Sequence, residues 1–127
     1  MELLLSIKPK YSEKIFSGEK KYEFRKQKPR QVIDRVFIYE CGPSKNIVGW
    51  FSVKGIHSGS PEEIWMKCKT LSGIEEKNYF NYCNGRKVIY AFEINETFQF
   101  DNPIDPFEMV SDFKPPEFFI SRWLHNM

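Results

Sequence analysis

Long apolar runs are missing from this 127-residue chain. No stretch approaches the roughly 20 apolar residues of a membrane-spanning helix. The opening MELLLSI, with an acidic second residue, is too short an apolar run for a signal peptide. No membrane partner is expected. Histidine is scarce, with two in the chain, and the three cysteines (Cys41, Cys68, Cys83) are widely spaced without a CxxC pair. That pattern supports neither a zinc site nor a disulfide framework, so no metal or cofactor is expected. Reduced thiols fit a cytoplasmic protein. Internal repeats, low-complexity tracts and dividing linkers are also lacking. The chain therefore reads as one domain, residues 1–127, long enough to bury a core. A large net charge is absent too, the formal value being +2.

Aromatic residues are plentiful: Phe 12, Tyr 6 and Trp 3 make up 17% of the chain, which argues against disorder. Charge is unevenly placed. Between Lys8 and Arg30 there are nine Lys or Arg against three Glu, and the remainder carries an excess of acid. Such a split outlines a protein that meets an anion on one face, or more plainly a lysine-rich solvated edge.

Leu3 to Ile7 reads as a strand stopped by Pro9. Tyr11 to Ser17 makes two helical turns, with Gly18 where a left-handed cap belongs. A strand begins near Lys21, and RVFIYEC from Arg35, NIVGWFSVKGI from Asn46 and KVIYAFEI from Lys87 are three more. CGPSKN is a tight hairpin connection. Between the last two strands lies a helical insert, its first helix capped by Ser60, Pro61 and Glu63. Ser72 and Glu75 repeat that spacing, and Asn84-Gly85 ends the second helix. After TFQF the prolines of NPIDP and KPPEFF suit a covering segment rather than a central strand. Phe118, Phe119 and Trp123 in it would cover the core or meet another copy. The fold class is α+β, a small and strongly bent mixed sheet or β-barrel with short helices packed around it.

The stretch SGEKKYEFRK, Ser17 to Lys26, carries the functional question. In an extended chain Lys21, Glu23 and Arg25 share one face, and Tyr22 and Phe24 share the other with Lys26. The rings then enter the core while the charges line a cleft or form a cross-strand ion-pair ladder. Lys20 lies just before the strand and reaches the same cleft from its rim. A carboxylate between Lys21 and Arg25 favours its ionised form, which makes Glu23 a poor general acid and suits it to orienting a guanidinium. Arg25 offers a planar fork to a phosphate or a base edge. Lys20 is a phosphate clamp, and becomes a catalytic base or nucleophile only if desolvated enough to lose its proton.

Gly18, Lys20, Glu23 and Arg25 follow the pattern G-x-K-x-x-E-x-R, which resembles that of the ASCH domain in the PUA-like superfamily. LLSIKPKYSEKIFSGEKKYEFRK is similar to the N-terminal strand–helix–strand of its bacterial and phage branch. VFIYECGPSKNIVGWFSV is similar to the hairpin that follows, and DFKPPEFFISRW to the closing segment. The resemblance implies a PUA-like β-barrel and a cleft that binds RNA or a nucleotide-like small molecule. It also implies a rival reading as a hydrolase, because some members are an amidohydrolase on acetylated cytidine or a ribonuclease. Lys20 and Glu23 would then be the catalytic residues. In the amidohydrolase branch a threonine stands where this chain has Glu23, which sets it apart.

Lys8 near the end of the first strand and Ser44 and Lys45 in the hairpin loop extend the basic rim toward a phosphate, or are ordinary turn polarity. Tyr39 and Trp50 are candidates to stack a base. His57 and Ser58 lack an identifiable partner acid, so a hydrolytic triad there is not expected. The cysteines read as small buried residues, and the EEK runs of the insert as solvated helix faces.

Overall fold

Strand β1 (Glu2–Ile7) is apolar on both faces because both are covered: Leu3, Leu5 and Ile7 join one buried cluster and Leu4 another. These positions come from a computed structural model that describes residues 1–109. DFKPPEFFISRW, with Phe118, Phe119 and Trp123, lies outside the described residues. Pro9, expected to stop the strand, also opens helix α1 (Pro9–Ser17), where the first helical position has no use for the missing N–H. Gly18 ends that helix at φ 88°, its N–H donating to the Ile15 carbonyl. Strands β2 (Tyr22–Arg25), β3 (Arg35–Glu40), β4 (Asn46–Gly59) and β5 (Ile89–Ile104) follow.

The five strands form one mixed sheet in the order β1-β3-β4-β5-β2. Only β1 and β3 run parallel; the other neighbours are antiparallel. The register between β4 and β5 shifts at Ile47/Gly49, Phe51/Val53 and Val53/Gly55. Each such irregularity adds bend and twist. At Gly49 a Cβ would stand 2.2 Å from the Phe98 carbonyl oxygen, so only glycine permits that close approach. The barrel is an incomplete one, because the edge strands β1 and β2 share no ladder.

Strand β5 runs further than its prolines suggested. Ile104 still pairs with Ile47, but the register jumps from there to Gln99 opposite Gly49. Residues 100–103 therefore bulge from the ladder, and Pro103 is not asked for a cross-strand N–H. The insert between β4 and β5 comprises α2 (Pro61–Cys68), a 3-10 turn (Lys69–Leu71) and α3 (Glu76–Cys83). A short helix α4 (Pro106–Met109) follows β5. Ser60 and Glu63 form the expected reciprocal capping box on α2. Ser72 does not cap α3, whose N-cap is Glu75 without a side-chain bond. Its hydroxyl instead donates to the carbonyls of Lys69 and Ile74, which folds the loop back on itself.

The insert packs on one face of the sheet. Tyr79 is its pin: the hydroxyl donates to the Pro61 carbonyl at 2.7 Å, and the ring lies between Trp65 (4.8 Å, stacked) and Phe24 (5.0 Å, edge-on). Aromatic pairs of this kind add roughly 0.5–1.5 kcal/mol each beyond area burial. Phe24 thus ties β2 to both insert helices, which decides where the neighbouring Glu23 and Arg25 can point.

Candidate functional site

Where β1 and β2 fail to pair, a side chain stands in for the ladder. Arg25 Nη2 donates to the Ser6 carbonyl at 2.8 Å and to Glu23 Oε2 at 2.9 Å. The gap beside it opens into a cavity of about 480 Å3. The end of β1 supplies Ser6 and Ile7, Lys8 follows at the N-cap of α1, and α1 supplies Lys10 and Tyr11. Lys20, Glu23, Phe24 and Arg25 form the floor, and the insert closes the far side with Ile74, Asn78, Tyr79, Asn81 and Tyr82. Four cationic side chains thus meet one carboxylate. The size and the mixed apolar and polar lining are those of a small-molecule site.

Lys20 is the unusual member. It was expected at the rim, yet only 2% of it is exposed, because the loop after α2 closes over its stem. Gly73, at φ +65°, sits so close that a Cβ would lie 2.5 Å from Lys20 Cβ. The Lys20 ammonium donates to the Ser72 carbonyl at 2.7 Å and lies 3.8 Å from Glu23 Oε1. The ring centroids of Phe24 and Tyr11 are 4.9 and 5.4 Å away. Burial pulls its pKa below the ordinary lysine value; Glu23 opposes that shift, and Arg25 and Lys14 add to it. Burial likewise pushes the Tyr82 phenol up, with Arg25 pulling against it. Arg25 Nε and Ser6 Oγ are buried at the cavity wall without a partner among the described residues.

Of the residues singled out from the sequence, Lys20, Glu23 and Arg25 are brought together, with Lys8 exposed at the mouth. Gly18 contributes backbone: its left-handed turn lets the Lys20 N–H reach the Lys14 carbonyl and aims the side chain inward. Lys21 does not line the cavity. Its N–H donates to the Leu71 carbonyl and its carbonyl accepts from the Ile94 N–H. Ser44 donates to Glu40 Oε1, Lys45 occupies a positive-φ turn position, and neither lines the cavity. Tyr39 is corrected outright: at 1% exposure among Leu4, Phe37 and Ile47 it has no face to offer a base. Trp50 stacks on Phe98 (5.9 Å, 12°), also away from the cavity.

His57 does have an acid partner, Glu93 at 2.7 Å across the sheet, but Ser58 lies on the opposite face of the strand, so no triad forms. Sequence reasoning missed the insert's share of the site. Asn78, Asn81 and Tyr82 lie three and four apart on one face of α3, and Ile74 precedes the helix. That spacing is visible in the sequence, but nothing local says which wall the face meets. Among the described residues, no three of His, Cys, Asp and Glu converge as a metal site, and no helix is long and apolar enough to cross a membrane.

Comparison with known proteins places this geometry in context. A family model described as the ASCH domain matches residues 5–100. An "ASCH domain-containing ribonuclease" of Zymomonas mobilis is 27% identical over 123 residues, 91% of this chain and 80% of that protein. The crystal structure of ASCH from Zymomonas mobilis is similar with a TM-score of 0.86 at 26% identity, over 94% of this chain and 85% of that one. The large ribosomal subunit protein uL22 of Ureaplasma parvum is 30% identical over 104 residues, 81% of this chain. The chain spans about a third of that relative, 33% of its length.

Proposed function

The chain belongs to the ASCH domain family, and we propose from that premise that its cleft holds one nucleotide of an unpaired RNA strand. The supporting observation is the convergence of Lys20, Arg25, Lys8 and Lys10 with the single carboxylate Glu23 around a cavity of about 480 Å3. Arg25 spends one nitrogen on Glu23 and Ser6, which fixes its plane and leaves the rest of the fork for a phosphate or base edge. Tyr11 and Tyr82 are half-buried rings on two sides, suited to stacking a base. Asn78 and Asn81 are exposed on α3, and a carboxamide presents the donor–acceptor pair that base edges require. Lys8 and Lys10 at the mouth meet the strand's phosphates.

The test is a titration of ribonucleoside monophosphates and a short unstructured RNA into the wild type and an Asn78→Ala/Asn81→Ala variant. Wild-type binding with amide shifts centred on residues 74–82 is expected, and the double variant should lose discrimination among bases while keeping its fold. No binding of either ligand at low salt would end the proposal.

A second reading, RNA hydrolysis, is favoured by one observation, the desolvated Lys20 amine. The Zymomonas mobilis relative called a ribonuclease points the same way. In that reading the Lys20 amine, once it has given up its own proton, takes the proton of a ribose 2′-hydroxyl as its oxygen attacks phosphorus. The P–O5′ bond breaks, the resulting ammonium returns the proton to the leaving 5′-oxygen, and Arg25 balances charge on the phosphorane. Fragments with 2′,3′-cyclic ends from the wild type and none from Lys20→Met are the expected products; RNA intact after long incubation with the wild type would rule it out.

A further inference from the structure

We infer that the protein carries a second anion groove, outside the cleft, that takes a backbone phosphate of the same RNA strand. This rests on the RNA reading above. The segment joining β2 to β3 folds against β4 and leaves a groove of about 270 Å3. Lys28, Arg30 and Lys54 line it over an apolar floor of Ile33, Val53 and Ile56, and no acidic side chain lines it.

Two carboxylates beside lining residues are already engaged. Glu93 accepts from His57 at 2.7 Å and pairs with Lys54 at 3.7 Å, and Asp34 pairs with the N-terminal ammonium at 2.7 Å. Lys28 lies over the Tyr90 ring at 5.8 Å, a contact that leaves its charge free to meet an anion. Lys28 and Arg30 are exposed, and Arg30 has no partner among the described residues. Glu93 offsets Lys54 in part, while the exposed cations Lys28 and Arg30 repel each other, and a bound anion relieves that repulsion.

Continuity with the cleft chooses the anion. Arg25 walls the cleft and Lys28 walls the groove, three residues apart in the chain. With consecutive Cα atoms about 3.8 Å apart, the Cα atoms of Arg25 and Lys28 are separated by no more than about 11 Å. Lys26 stands between them with its ammonium 4.8 Å from the Tyr82 ring of the cleft. With one base of an unpaired strand seated in the cleft, the backbone leading from it can lie along Lys26 into the groove. An acidic peptide has no reason to start from a site lined by rings and carboxamides.

The experiment is fluorescence anisotropy of a labelled octauridylate with the full chain from 50 to 300 mM KCl, beside a titration with uridine monophosphate. The variants are Lys28→Ala/Arg30→Ala and, as a control of equal charge change, Lys67→Ala/Lys87→Ala. Loss of one phosphate contact should lower the slope of log K against log salt by about 0.7 and weaken octauridylate several-fold at 50 mM. The control pair and mononucleotide binding should not change. If the double variant matches wild type in affinity and slope, the cations are a solvated edge and the groove is not a site. Loss of mononucleotide binding as well would show that the groove is not separate from the cleft. Polyglutamate competing as well as RNA at equal charge would overturn the assignment to RNA. If the wild type binds neither nucleotide nor octauridylate, the RNA reading falls and the groove falls with it.

Discussion

Replacing Lys20 with methionine removes the ammonium and keeps an unbranched stem against Gly73, Tyr11 and Phe24. The loss is the bond to the Ser72 carbonyl, and hydrogen bonds to charged groups contribute about 1.5–3 kcal/mol. The gain is relief from holding a nearly buried ammonium, which costs several kcal/mol in a protein interior. Glu23 retains Arg25 at 2.9 Å, so no carboxylate is left stranded. These terms leave the variant between unchanged and about 2 kcal/mol more stable, a rise of up to about 8 °C in Tm for a domain of this size. Affinity for a nucleotide should fall more than tenfold, about 1.4 kcal/mol or more. A pH series adds a sign. Lys20 in the folded protein gives up its proton below the ordinary value of 10.5, while the unfolded chain holds it until 10.5. Across that window the unfolded state binds more protons, so wild-type stability rises with pH, and the methionine variant lacks this rise. Differential scanning calorimetry from pH 7 to 10.5 and a binding titration read both effects. A fall in Tm of more than about 5 °C at pH 7 would show that the ammonium anchors the fold, and unchanged affinity would remove it from the site.

Gly73→Ala should cost about 1–3 kcal/mol in urea unfolding, since a left-handed φ of +65° disfavours alanine and its Cβ would displace Lys20. Nucleotide affinity should drop with it, and a neutral result would deny that the loop holds the lysine in place. Burial pushes the Cys68 thiol up to about 11 and raises Cys83 as well, so at pH 7.5 a thiol reagent should label half-buried Cys41 first. Mass spectrometry should count three labels only after unfolding, and native labelling of Cys68 at the rate of Cys41 would contradict the packing of the insert. The bond from His57 holds the Glu93 carboxyl below its ordinary 4.5, so it stabilises the fold above that pH and the contribution is lost as pH falls through the lower folded value. At a quarter exposure the effect is under about 1 kcal/mol, and Glu93→Gln should flatten the acid limb of urea midpoints measured from pH 2.5 to 6.

Local rules carried the fold a long way. Gly18 at a left-handed cap, Ser60 and Glu63 as a capping box, and Asn84 at φ 43° each needed only neighbours in the chain. Ser72 shows where such rules stop: its capping spacing is genuine, but tertiary packing turned its carbonyl to Lys20 and left Glu75 to start the helix. The alternation along β2 placed Glu23 and Arg25 on one face, yet Lys21 on the same face lies before the strand and faces elsewhere. Lys20 was legible as a candidate and illegible as a buried one, because its burial comes from a loop 52 residues away. Tyr39 failed for the converse reason, since an aromatic in a strand carries no local mark of which side is core.

The incomplete barrel and the cleft are one feature seen twice. A β1–β2 ladder would close the sheet and fill the space now lined by Ser6, Lys8, Glu23 and Arg25. The chain holds the two edges together with a single guanidinium instead, and an arginine fork keeps donors free that backbone amides in a ladder would not. The insert then supplies what an open edge lacks, a far wall and a lid on the lysine stem, through Tyr79 on Phe24 and Gly73 on Lys20. Stability and recognition therefore draw on the same contacts: loosening the insert releases Lys20, and tightening the edge closes the cleft. Substitutions on α3 that leave Tyr79 in place should change which ligand is bound, while those that dislodge it should abolish binding of every ligand together.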